Sequence, residues 1–184
     1  MDEQQGGAGR GHGLRFQSSG GNFIDTADFY TAGESEKILG RLIDRAGVRE
    51  RLVLTSKATN TVDPTDPNAS GNGRKHITRA VEASLRRLGT DYIDLYLLHT
   101  WDRITPVEEV VHTFDDLVRA GKIRYAGLSD VPAWYAARAQ SYAEAHGLPS
   151  RGLIATAAVR RPVRRGGAGR VRAMLRYWVT AARE

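Results

Sequence analysis

The stretch GNFIDTADFY, residues 21–30, opens as an apolar run and closes on ionisable groups: Asp25, Asp28 and Tyr30. A short apolar run bounded by polar residues reads as a buried strand. It therefore predicts a strand that delivers two carboxylates and a phenol at its C-terminal end. The fold follows from whether later segments repeat this arrangement and bring partners to the same end.

They do repeat it. After residue 30, Ile38, Leu39, Leu42 and Ile43 recur at helical spacing, and Gly47 stops the helix. RLVLTSKA, residues 51–58, reads as the next strand, and the Asn-, Asp-, Pro- and Gly-dense stretch after it as a long loop. Ile77, Val81, Leu85 and Leu88 mark a second helix ending at Gly89, and YIDLYLLHT returns to strand. Thr105, Pro106 and Glu108 predict an N-cap, a first-turn proline and a capping-box acid for a third helix, whose apolar stripe runs from Val107 to Val118. KIRYAGLSD is a fourth strand, and Pro132 opens a helix that stops at Gly147. Four such units imply a parallel α/β sheet covered by helices. An open doubly wound sheet and a closed barrel both fit this alternation.

Composition bounds the rest. With 184 residues and 41% hydrophobic composition, the chain has enough material for one compact domain. It has no cysteine, which excludes disulfides and thiolate metal sites. No run of eighteen apolar residues predicts a membrane span, and a cytoplasmic protein is expected. The net charge of +6 sits in the tail: residues 151–184 hold nine arginines against Glu184, leaving 18 basic and 20 acidic residues before them. A nucleic-acid partner is therefore not expected of the central region. RRPVRR, residues 160–165, is open to reading as a polyanion-binding arm.

The strand ends separate the two architectures. In a (β/α)8 barrel, side chains at the C-terminal ends of different strands converge on one mouth. Here those ends carry Asp25 with Tyr30 just beyond, then Lys57, then His99, then Ser129 with Asp130. Together they suit one task. A carbonyl that accepts hydride develops negative charge on oxygen and needs a proton donor there. A phenol, with an ordinary pKa of about 10, gains acidity beside an ammonium group. A carboxylate would pin that ammonium, and an imidazole would orient the carbonyl. The isolated histidines His12, His76, His112 and His146 are expected at the surface or in helix packing, with no metal-ligand spacing. Asp28 is read as a loop residue, Asp94 as a buried carboxylate satisfied by backbone or arginine, and Trp134 and Tyr135 as packing residues.

GNFIDTADFY with GESEKILG, RLVLTSK, AVEASLRRLGTDYIDLYLLHTWD and DDLVRAGKIRYAGLSD resemble the aldo-keto reductase family, nearest its bacterial members related to potassium-channel β subunits. The resemblance covers residues 21–150. It implies a partial (β/α)8 TIM barrel of four to five units and an NADPH-dependent oxidoreductase acting on small aldehydes or ketones. Asp25, Tyr30, Lys57 and His99 take the positions of the family's catalytic tetrad, with Tyr30 as proton donor. Ser129 and Asp130 take those of a cofactor-binding Ser-Asn pair, although aspartate lacks the amide donor. Trp101 takes a place in the substrate pocket wall.

The ends depart from the family. Residues 1–20 form an irregular arm without the expected first strand, and residues 151–184 form an arginine-rich tail without a match. The tail is rich in glycine and free of lysine, as a GC-rich gene read out of frame would be. A truncated or frameshifted member is therefore expected, with much of the cofactor region absent and sheet edges open to self-association. The alternative function is a catalytically silent remnant or interaction module.

Overall fold

The computed structural model describes residues 21–148 and the strand at 153–156. The N-terminal arm 1–20 and the arginine-rich tail, that strand apart, lie outside the described residues. Five parallel strands, β1 (Phe23–Asp25), β2 (Val53–Ala58), β3 (Ile93–Leu98), β4 (Ile123–Ser129) and β5 (Leu153–Thr156), alternate with four helices, α1 (Glu34–Ala46), α2 (Arg74–Leu88), α3 (Val107–Arg119) and α4 (Ala133–Ala145). β5 lies inside the segment 151–184 that the sequence reading treats as tail.

Strand order decides the architecture. The sheet runs β1-β2-β3-β4-β5, each strand hydrogen-bonded to the next in sequence. A doubly wound sheet reverses at a switch point, whereas a barrel wall adds strands in chain order. The fold is a partial (β/α)8 barrel.

Register sorts the side chains into two layers. Asp25 pairs with Thr55, Thr55 with Leu95 and Leu95 with Tyr125. One step further along, Lys57 pairs with Leu97 and Leu97 with Gly127. Because side chains alternate with period two, these rows share the concave face, and Leu54, Tyr96, Leu98, Ala126 and Leu128 point the other way. There they join Ile77, Val81, Leu88, Val110 and Phe114 in the main core. Burying each large side chain of this layer contributes about 1.5–3 kcal/mol.

Three local expectations change. Phe23 is 37% exposed although its run read as buried, because β1 is three residues long and lies at the edge of the described sheet. In α1, Ile38 is exposed and Glu36 is fully buried: the helix turns its 36-40-43 face inward. Gly40 makes this possible, since a Cβ there would lie 2.6 Å from the Leu88 carbonyl oxygen. The third correction is at α3, where the N-cap is Pro106 and no side chain caps the helix. The Thr105 hydroxyl donates to Asp102 instead, at 2.5 Å, so the capping box does not form.

Candidate active site

Lys57 sits near the end of β2 with its side chain almost buried. Its Nζ donates to Asp25 Oδ2 at 2.5 Å and to the Thr26 carbonyl at 2.9 Å. The adjoining backbone closes the arrangement: Thr26 N donates to Thr55 O, and Asp28 N donates to Lys57 O, both at 3.0 Å. The chain leaving β1 is thus stitched along the end of β2, which brings Tyr30 above the ammonium. Lys57 Nζ lies 5.5 Å from the centroid of the Tyr30 ring.

His99 follows β3, its amide donating to Ala58 O at 2.9 Å and to Thr59 Oγ1 at 3.1 Å. Its ring stands edge-on to Tyr30, centroids 5.6 Å apart, and to Phe29 at 4.9 Å. Asp25, Tyr30, Lys57 and His99, spread over 75 residues of chain, therefore meet at one rim. Sequence reasoning did not find Phe29, which braces both rings.

The electrostatics differ from the expectation in one respect. The Tyr30 phenol is pushed above its ordinary value, by burial first and by the Asp25 carboxylate second. The Lys57 ammonium is committed to Asp25 and Thr26, so it does not make the phenol acidic in this state. The phenol stays protonated at neutral pH, the form a proton donor requires. His99 is held below the ordinary imidazole range by burial and by Lys57, against the carboxylates of Asp25 and Asp130. It is neutral at pH 7, and its Nδ1 is buried without a hydrogen-bond partner among the described residues.

Ser129 ends β4. Asp130 follows with φ of 48°, a left-handed conformation that aspartate tolerates better than most residues. Its carbonyl accepts from Trp101 N at 3.3 Å, so the loops after β3 and β4 are joined. Trp101 packs edge-on against Trp134, centroids 5.4 Å apart, and lies tilted against Tyr135 at 6.0 Å. Tyr135 is buried as expected, but Trp134 is 56% exposed. Trp101, Ile104, Trp134 and Arg138 line a cleft of about 170 Å³.

Beneath the rim lies a charged layer that the sequence did not reveal. Glu36 accepts from Ser56 Oγ at 2.6 Å and from Arg87 Nε at 2.7 Å. Asp28, read as a loop residue, is 1% exposed. Burial, and then the Glu36 carboxylate, push its pKa up to about 7 against the pull of Arg87. A signal for Glu36 did exist: it stands at i, i+4 and i+7 with Gly40 and Ile43. Asp28 carried no such mark. Asp94 accepts from Leu54 N at 2.9 Å and pairs with Arg49 at 2.8 Å, the backbone and arginine partners expected of it.

The Aldo/keto reductase family model matches residues 14–150, about three quarters of the chain. The chain belongs to the aldo/keto reductase family. A norsolorinic acid reductase of Emericella nidulans is 48% identical over 139 residues, covering 73% of this chain and 36% of that protein. A norsolorinic acid reductase of Aspergillus flavus is 43% identical over 138 residues, covering 72% of this chain and 36% of that protein. An aryl-alcohol dehydrogenase [NADP(+)] of Phanerodontia chrysosporium is 37% identical over 140 residues, with 72% and 36% covered. This aldo/keto reductase chain thus spans little more than a third of the length of these relatives. The relatives bear the names of reductases and dehydrogenases. Among the described residues no helix is long and apolar enough to cross a membrane, and no group of three or more acidic or histidine side chains is placed to hold a metal ion.

Proposed function

We propose that the chain carries the proton-donating centre of an NADPH-dependent carbonyl reductase, with Tyr30 as the acid. The observation that carries this reading is the Lys57 ammonium, bonded to Asp25 and Thr26 beneath the Tyr30 ring, with neutral His99 edge-on beside it. In this reading Tyr30 gives its proton to the carbonyl oxygen as charge develops there. Lys57 then stabilises the phenolate formed, Asp25 holds Lys57, and His99 orients the carbonyl.

Ser129 and Asp130, at the end of β4, are assigned to the nicotinamide end of the cofactor, where Ser129 would offer a hydroxyl and Asp130 only an acceptor in place of an amide donor. When bound, the cofactor supplies the hydride. The name of the Phanerodontia relative supports NADP(H) as the pair used. The aromatic group of Trp101, Trp134 and Tyr135 suits a carbonyl substrate with a flat apolar ring, in keeping with aryl-alcohol dehydrogenases among the relatives. A cytoplasmic setting belongs to the same proposal, as does the organisation into arm, partial barrel at 21–150 and tail.

A second reading is a catalytically silent interaction module. Phe23 and Tyr125, 37% and 46% exposed on the concave face, would then support self-association.

Titration of NADPH against the full chain, followed by cofactor fluorescence, separates the two readings. Saturable binding is expected, and its absence removes the enzyme reading. With binding established, Tyr30→Phe is expected to lower carbonyl reduction 10²- to 10⁴-fold while cofactor affinity changes less than about twofold. Retained turnover would remove Tyr30 as the proton donor.

A further inference from the structure

Tyr30 is the first residue of a turn that the chain would not adopt by preference. Thr31, Ala32 and Gly33 have φ of 51°, 53° and 87° in succession. Left-handed backbone is unfavourable for residues with a Cβ, above all a β-branched one such as Thr31, so it persists only where the surroundings over-determine it. The surroundings here are specific. Gly33 rests on the Arg87 side chain so closely that a Cβ at 33 would lie 2.9 Å from Arg87 Cδ.

Arg87 is fixed in turn by Glu36, which is fully buried and also accepts from Ser56, the residue before Lys57. Thr26, whose carbonyl receives the Lys57 ammonium, shares a hydroxyl hydrogen bond of 2.8 Å with Ser35. One ion pair thus ties three things together: the turn carrying the phenol, the strand carrying the ammonium, and the C-terminal part of α2. A buried charge pair is not needed for stability alone, since apolar residues of similar volume commonly replace one without loss.

We propose that Glu36 and Arg87 are positioning residues for Tyr30: their buried pair clamps the left-handed turn Thr31–Gly33 against α2 and so holds the phenol over Lys57 and beside His99. The assignment rests on Tyr30 being the proton donor, but it is tested without turnover.

The experiment uses the full chain with ring-13C-labelled tyrosine, the Tyr30 signal being assigned by its loss in Tyr30→Phe. The double variant Glu36→Gln/Arg87→Met removes both charges at similar volume. Its melt is expected to stay near that of the parent, while the Tyr30 signal broadens or shifts and its proton contacts to the His99 ring disappear. In the reductase assay, kcat is expected to fall at least tenfold with KM within twofold. Arg87→Lys, which keeps the charge but loses the planar fork, should give an intermediate displacement.

A folded double variant with the parent's Tyr30 signal and His99 contacts would overturn the proposal. If the double variant does not fold, Arg87→Lys takes its place, keeping the charge while loosening the contacts to Glu36 and Gly33. An unchanged Tyr30 signal in Arg87→Lys then overturns the clamp, and a displaced one supports it. Should Tyr30 move as expected while even the parent reduces no carbonyl, the clamp stands and the reductase reading fails.

Discussion

The two faces of β2 are built to opposite rules. On the helix side, Leu54 and Ala58 are buried in a continuous apolar layer with Tyr96, Leu128 and Phe114. On the concave side, Thr55 and Lys57 look along the barrel wall, and Lys57 spends its ammonium on Asp25 and a backbone carbonyl. Alternation of side chains lets a single six-residue strand serve both layers. The apolar layer supplies most of the folding free energy, and the polar rim can then carry charges that stability alone would not select. Ser56 is the exception, a hydroxyl on the helix side that accommodates the buried Glu36.

Substitutions can break this division of labour or sharpen it. The largest effect is expected from Lys57→Met on the concave side. It removes the ammonium that would stabilise a phenolate, so carbonyl reduction should fall by about 10²-fold or more. Because Asp25 and the Thr26 carbonyl lose their donor while the half-exposed Asp25 carboxylate can turn to water, stability should also fall, by about 1–3 kcal/mol. A collapse in melting temperature would show that the two faces are not separable.

Phe114→Ala tests the other layer. This fully buried ring belongs to α3 and packs in the apolar core, and its loss should cost about 3–5 kcal/mol by denaturant unfolding. NADPH affinity measured well below the new melting point should stay within a few fold. Gly40→Ala comes next. The added methyl would strike the Leu88 carbonyl at 2.6 Å and force α1 away from α2, costing roughly 1–3 kcal/mol. A neutral effect would mean that the helices have room to separate.

A pH dependence is expected to centre on Asp28. Its folded pKa of about 7 lies above the ordinary value of 3.8, so between those values the folded state binds more protons than the unfolded state. Its contribution to stability therefore falls as pH rises from about 4 to 7. Buried His76 acts in the opposite sense: its folded pKa is lowered, chiefly by burial, so its contribution is lost as pH falls below the ordinary imidazole range. Comparing Asp28→Asn with the parent isolates the carboxyl. The variant should gain on the order of 4 kcal/mol at pH 8 and little at pH 4, read from urea unfolding at each pH. A difference that does not vary with pH would remove this account.

Much of the molecule was legible in the order of its residues. The alternation from Phe23 to Ala145 placed four strands and four helices. The ionisable residues at the strand ends pointed to a shared rim, and the motif spacing around Asp25, Tyr30, Lys57 and His99 named the family. These are features of short range, set by periodicities of 2 and 3.6 and by the glycines and prolines that interrupt them. Tertiary structure alone decided which residues answer one another across the chain. It turned Glu36 inward and Ile38 outward because Gly40 lets α1 approach α2, and it supplied Arg87, 51 residues away, as the partner that makes the buried carboxylate tolerable. It drew the Thr105 hydroxyl from its helix to Asp102 and set Asp28 beside a like charge. Such outcomes depend on competing partners brought close only by folding, which is why local pattern does not contain them.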